Sequence, residues 1–224
     1  MKGKLISFEG IDGSGKGTQS TLLHEKLKKR GVDSVLFSFP CYEKTFFGKE
    51  IGAFLRGEFG GIDEVHPKLA SILYAMDRFE MRDSILSSLE NGKVVICDRY
   101  IDSNIAHQAS KLSERERNEF IKWIEDLEYG FNKMPSPDLT FFLDVPIEVS
   151  KELVIKKQKR NYTDSSEDIH EKAHGYLQKV YEAYLSIDYG ERWEKIECCN
   201  GLIMNSPSEI NKKIMGVIKN GLGI

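Results

Sequence analysis

Gly10-Ile11-Asp12-Gly13-Ser14-Gly15-Lys16-Gly17-Thr18 decides the fold. An apolar run, Leu5-Ile6-Ser7-Phe8, precedes it and reads as a buried strand, and Gln19 to Arg30 follows it with Leu22, Leu23 and Leu27 on one helical face. Strand, glycine loop, lysine and helix in this order are the setting of a phosphate-cradling P-loop. The glycines let successive backbone N–H groups turn inward without a Cβ clash. The helix start adds partial positive charge. The reading assigns Gly10, Asp12, Gly13, Ser14, Gly15, Lys16, Gly17 and Thr18 to the phosphates of ATP, with Lys16 reaching the terminal ones. In P-loop enzymes the residue after the lysine is usually a Ser or Thr whose hydroxyl holds Mg²⁺. Here Gly17 takes that place and the hydroxyl comes next, at Thr18.

Outward from the loop, short apolar runs alternate with helical patterns. Ser34–Phe39, Val94–Asp98 and Leu139–Asp144 read as further strands, and Lys195–Cys198 with Gly201–Met204 offers a weaker fifth. Leu69, Ile72, Leu73 and Met76 recur at helical spacing, as do Phe120, Ile121, Ile124 and Leu127, and Ala173, Leu177, Val180, Tyr181 and Tyr184. Alternating strands and helices imply a parallel sheet covered on both faces. With right-handed crossovers this is a doubly wound α/β fold. The expectation is five parallel strands of P-loop NTPase type, with ligands beyond the carboxyl ends of the strands. Gly10, Pro40, Asp98 and Asp144 all fall there. Met134-Pro135-Ser136-Pro137-Asp138 reads as a turn rather than a linker, so residues 1–224 are taken as one domain.

A chain of 224 residues can bury a full core without disulfides. A net charge of −3 argues against broad electrostatic attraction to nucleic acid. The four cysteines, at 41, 97, 198 and 199, lack Cys-x-x-Cys spacing and read as free thiols of a reducing compartment. Charges and glycines interrupt residues 1–18, unlike a signal peptide, and there is no uncharged apolar run long enough for a bilayer. A soluble cytoplasmic protein is expected.

Asp98-Arg99-Tyr100 is the second constellation. A carboxylate closing this strand suits the anchoring of metal-bound water, and Arg99 offers a planar donor fork for a second phosphate. An Asp–Arg ion pair at a strand end is the plainer alternative. Asp144 also ends a strand, but Val145-Pro146 and a helical pattern follow, so it can serve as a helix cap.

The form Gly-Lys-Gly-Thr at 15–18 resembles nucleoside monophosphate kinases such as adenylate kinase, which carry Pro where this chain has Asp12. The wider pattern is similar to the thymidylate kinase family. The motifs are Phe8–Lys16, Phe39-Pro40-Cys41-Tyr42, Leu73-Tyr74-Ala75-Met76-Asp77-Arg78, Asp98–Gln108 and Pro137–Val145, in that order and spacing. The resemblance implies ATP-dependent conversion of dTMP to dTDP, with Mg²⁺, in a homodimer whose contacts include residues 67–90. By resemblance Tyr74 stacks on thymine, Arg78 donates to a base carbonyl, and Asn104 pairs with the pyrimidine edge, supported by Ser103. Arg99 holds the dTMP phosphate with Tyr42, Asp12 accepts from the 3′-hydroxyl, Phe39 walls the base pocket, and Gln108 lies at its edge. Thr18 and Asp98 are the candidate metal ligands.

Two departures stand out. His107 occupies the position where the family commonly has a Tyr near the sugar, and a histidine could crowd out a 2′-hydroxyl or accept one. Many relatives carry several lid arginines, and some place an arginine at the position of Gly13. Here the lid, about 156–168, has Arg160 as the arginine of its basic cluster, with Lys157 and Lys159 in reserve. Lys16, Arg99, Asp98 and Arg160 are therefore the expected catalytic set, and a small lid is expected to close over the transfer. Asn205 and Ser206 are candidates for the adenine. Other readings remain open: another monophosphate kinase; a deoxynucleoside kinase with Glu9 as base; or a nucleotide-binding module, although Asn132-Lys133-Met134-Pro135 lacks the aspartate of guanine-reading switches.

Overall fold

The computed structural model describes residues 3–61, 64–158, 175–187 and 190–223. Five strands form one parallel sheet: β1 (Lys4–Glu9), β2 (Ser34–Ser38), β3 (Val94–Asp98), β4 (Leu139–Asp144) and β5 (Trp193–Glu197), in the spatial order β2-β3-β1-β4-β5. The register puts Phe8 opposite Asp98 and Phe141, so the P-loop leaves the sheet between the ends of β3 and β4. The strand order reverses about β1, which opens a crevice at the carboxyl edge.

Helices cover both faces. On one, α1 (Lys16–Lys29) and α8 (Pro207–Gly221) bring Leu23, Leu27, Ile210, Ile214 and Ile218 against Ile6, Phe8, Ile96 and Phe141. On the other, α3 (Pro67–Glu90), α4 (Ile101–Ala109), α5 (Glu114–Glu125) and α7 (Tyr176–Leu185) bring Ile85, Ile105, Ile124 and Tyr184 against Leu5, Val95, Cys97 and Phe142. Burial on both faces is why these strands read as continuous apolar runs rather than alternating ones. Helix α6 (Ile147–Gln158) follows β4.

Three details refine the sequence expectations. The fifth strand begins earlier, at Trp193, and Gly201–Met204 does not belong to it: Cys199–Asn200 and Ile203–Met204 (β6 and β7) pair as a separate antiparallel ribbon. Helix α2 (Phe46–Leu55) follows the Pro40–Tyr42 turn, capped by Thr45 accepting from the Gly48 N–H at 2.9 Å. The stripe on α3 is not all core, because Leu69 is 60% and Ile72 37% exposed. Among the described residues no helix is long and apolar enough to cross a membrane. All four cysteines are free thiols, and Cys41, Cys97 and Cys198 are buried.

Candidate active site

The P-loop is built as its glycines require. Gly13 has φ +78°, and a Cβ there would lie 2.6 Å from the Ser150 carbonyl of α6. A side chain at this position would meet that backbone atom. Lys16 opens α1 and is 6% exposed; its Nζ donates to the carbonyls of Gly10 (2.9 Å) and Ile11 (2.8 Å). Burial, and secondarily the charge of Arg99, lowers its pKa to about 8. Asp98 stands against the first turn of α1: its Oδ2 is 3.0 Å from where a Cβ on Gly17 would be. Thr18 is exposed on the same turn. A carboxylate and a hydroxyl beside the phosphate cradle are hard oxygen donors, and they fit a Mg²⁺ ion that takes few protein ligands and keeps its waters.

Every residue the sequence assigned to the acceptor nucleotide lines one pocket: Asp12, Phe39, Tyr42, Tyr74, Arg78, Arg99, Ser103, Asn104, His107 and Gln108. Helical spacing explains much of this, since 74 and 78 are one turn apart on α3, and 103/107 and 104/108 are one turn apart on α4. The loop after β2 brings Phe39 and Tyr42, and the P-loop brings Asp12. Pro40, placed by the sequence at the carboxyl edge of the sheet, and Leu55, which was not singled out, complete the lining.

Arg99 sits at the centre. Its φ is +64°, a left-handed conformation that costs a non-glycine residue about 1 kcal/mol and recurs at functional sites. Its guanidinium pairs with Asp12 and reaches the Ser103 hydroxyl at 3.3 Å and His107 Nε2 at 3.4 Å. Arginine has no acceptor, so His107 Nε2 must accept. The imidazole proton then lies on Nδ1 and donates to Tyr176 Oη at 3.0 Å, while that hydroxyl donates to the His107 carbonyl at 3.2 Å.

Glu9 underlies the site and is fully buried. It accepts from the Tyr100 N–H (2.7 Å) and the hydroxyls of Ser103 (2.5 Å) and Tyr184 (3.1 Å). Burial still raises its pKa above the usual carboxylate range. With three donors on its oxygens, Glu9 anchors α4 to β1.

Three polar side chains of the pocket are held in fixed orientations or left without partners. Asn104 spends its Nδ2 on the Ser71 carbonyl at 3.1 Å, and its buried Oδ1 has no partner among the described residues. Gln108 is 1% exposed, and neither side-chain heteroatom has a partner among the described residues. Arg78, 2% exposed, is ion-paired with Glu128. Unpaired buried polar atoms are costly, and a ligand that satisfies them gains accordingly. The supports Ser71, Glu128, Tyr176 and Tyr184 escaped the sequence reading, because tens of residues separate each from what it holds.

Some expected positions play other parts. Asp144 accepts from Tyr181 Oη at 2.6 Å and pairs with Lys195 at 2.8 Å, so its carboxylate ties β4 to α7 and β5. Ser206 is the N-cap of α8 in a reciprocal capping box with Glu209, which occupies its hydroxyl. Arg160 and Lys159 lie outside the described residues, as does the lid from 159 to 168; Lys157 falls in the last turn of α6.

The thymidylate kinase family model matches residues 8–199. The thymidylate kinase of Plasmodium falciparum (isolate 3D7) is 33% identical over 196 residues, covering 88% of this chain and 82% of that protein. A probable thymidylate kinase of Pyrococcus abyssi (strain GE5 / Orsay) is 31% identical over 224 residues, 99% of this chain and 98% of the other. The solved thymidylate kinase of Candida albicans shares the fold, with a TM-score of 0.74 at 24% identity over 98% of this chain and 92% of that one. With a matched span that includes the phosphate loop and the acceptor pocket, this chain belongs to the thymidylate kinase family.

Proposed function

We propose that this chain is a dTMP kinase that transfers the γ-phosphoryl group of ATP in line to dTMP, giving dTDP for dTTP synthesis. One observation carries the reading. A single pocket beside the P-loop combines a guanidinium at Arg99, a donor at Arg78 and a buried acceptor at Asn104 Oδ1 that has no partner among the described residues. A thymine matches that polarity, with a carbonyl to receive Arg78 and an N–H for Asn104.

ATP lies with its β- and γ-phosphates on the amides of residues 10–18, with Lys16 on the terminal oxygens. The dTMP phosphate faces it, held by Arg99 and Tyr42, with the base against Tyr74 and Phe39 and the 3′-hydroxyl on Asp12. Ser103 braces Arg99, while His107 and Gln108 close the sugar and base edges. The attacking phosphate oxygen is already largely ionised near neutral pH, its second pKa being about 6, so no general base is needed. Catalysis is then positioning and charge neutralisation. Mg²⁺, held by Thr18 and Asp98, supplies further neutralisation of phosphate charge when bound. Arg160 provides the cation on the lid side, and lid closure excludes water.

A deoxynucleoside kinase needs a free carboxylate base for a neutral hydroxyl. The three donors on Glu9 weigh against that role. The exposed Leu69 and Ile72 on α3 support a homodimer through that helix. One kinase domain over residues 1–224 working in the cytoplasm completes the proposal. Coupled ADP release with dTMP, dUMP, ribothymidine monophosphate, AMP and GMP tests it. Turnover highest with dTMP is expected; a purine monophosphate as the best acceptor overturns the assignment.

A further inference from the structure

Helix α5 widens at its end into a π-helical turn, Asp126–Phe131, whose docking onto α3 reaches the acceptor pocket from behind. Such turns often accompany functional sites. Polar contacts among the described residues hold this segment and the Asn132 that follows it to α3. Glu128 pairs with Arg78, the Asn132 Nδ2 donates to the Ala75 carbonyl at 3.5 Å, and Arg82 Nη1 donates to the Asn132 carbonyl at 3.1 Å. Residues 75, 78 and 82 form one stripe along α3, and Ser71, Tyr74 and Arg78 form the adjacent stripe that touches or supports the pocket. Arg78 alone belongs to both.

Glu128 engages Arg78 with a single oxygen. Its Oε1 receives Nε at 3.1 Å and also Nη2, and both side chains are almost wholly buried. Arg78 Nη1 has no hydrogen bond among the described residues, while Arg78 lines the pocket. The guanidinium is planar and its donors diverge in a fixed fork. Fixing two of its nitrogens therefore fixes the direction of the third.

We propose that Glu128 is a positioning and specificity-determining residue: it holds Arg78 so that a single N–H₂ group is offered to the base, which selects a pyrimidine with a carbonyl at position 4 and rejects one with an amino group there. The inference rests on the dTMP-kinase reading. Its energetic logic is that an N–H₂ facing another N–H₂ leaves both donors unpaired in a dry site, whereas facing a carbonyl it makes a charge-assisted hydrogen bond. Asn104 works in the same sense, because its Nδ2 is committed to Ser71 and only Oδ1 remains.

The experiment compares wild type, E128Q, E128D, R78M and R78M/E128Q, reading kcat and KM for dTMP, dCMP and ATP. E128Q is expected to raise the KM for dTMP about tenfold, the loss of one charge-assisted bond, to leave the KM for ATP unchanged, and to narrow the preference for dTMP over dCMP. E128D, which keeps the charge but loses reach, is expected to change the same constants in the same direction. In the R78M background E128Q is expected to have no further effect on dTMP. Equal changes for ATP and dTMP, an unchanged KM for dTMP, or an E128Q effect that persists without Arg78 overturns the proposal. Should an unpaired buried charge prevent the single variants from folding, R78M/E128Q decides alone, because it removes both: a collapsed preference for dTMP over dCMP supports the proposal and a preference as steep as that of wild type contradicts it. A wild-type enzyme inactive on dTMP instead refutes the underlying reading, and so the two failures are distinct.

Discussion

The phosphate role proposed for Lys16 needs its charge, yet the side chain is buried and its pKa falls from 10.5 to about 8. Below about pH 8 the folded and unfolded chains both hold its proton, and the full cost of burying the ammonium is present. Between about 8 and 10.5 the unfolded chain binds a proton that the folded chain has released, so this group's contribution to stability rises with pH. The effect is on the order of a few kcal/mol at most. The melting temperature of Lys16→Met minus that of wild type should therefore fall between about pH 7 and about pH 10. The carbonyls of Gly10 and Ile11, left without their donor, contribute equally at both pH values. A constant difference in melting temperature contradicts the assignment. Asn104 offers a second test. Asn104→Asp removes the donor to the Ser71 carbonyl and sets two acceptors against each other. Steady-state kinetics should show the KM for dTMP rising about tenfold or more, with the KM for ATP unaffected; a variant with unchanged KM rules out Asn104 as a base contact.

At the scale of elements, α2 shows how packing overrules propensity. Gly48 lies in its first turn, where Ala is normally better by about 1 kcal/mol. A Cβ at Gly48 would lie 2.2 Å from the Cys41 carbonyl, a backbone atom with little freedom to retreat. Asp77 on α3 holds this junction from below, accepting from the Cys41 N–H at 3.0 Å and from the Thr45 hydroxyl. Gly48→Ala should therefore destabilise the protein by about 1–3 kcal/mol in denaturant titration, and it should weaken dTMP binding through Tyr42; a stabilised variant would refute this packing argument. The element pattern was legible where the chemistry is local. Strands β1 to β4 announced themselves as apolar runs, and the P-loop by its glycines. Helix α2 was not singled out from sequence. Gly201–Met204 reads from sequence as part of the fifth strand, although Ile203–Met204 pairs with Cys199–Asn200 in a ribbon, because an apolar pair looks the same in a ribbon as in a sheet edge.

The described molecule is a sheet whose carboxyl edge brings the glycine-rich loop and the pocket around Arg99 to one crevice. The pocket residues were legible as a set through the resemblance of the motifs around 8–16, 39–42, 74–78 and 98–108 to one family, and the fold brings these motifs together at one pocket. Their supports were not legible: Glu128 lies 50 residues from Arg78, and Tyr184 lies 175 from Glu9. Such pairings exist only once the crossovers have been made. The central claim is that two anionic nucleotides are held separately, one by the amides around Lys16 and the other by Arg99. Calorimetric titration of wild type and Arg99→Ala with dTMP and with ATP tests this most directly. The account predicts dTMP affinity lowered at least about tenfold, as expected when a charge-assisted phosphate contact is lost, with ATP affinity unchanged. Equal weakening of both ligands, or dTMP binding that survives intact, would contradict it.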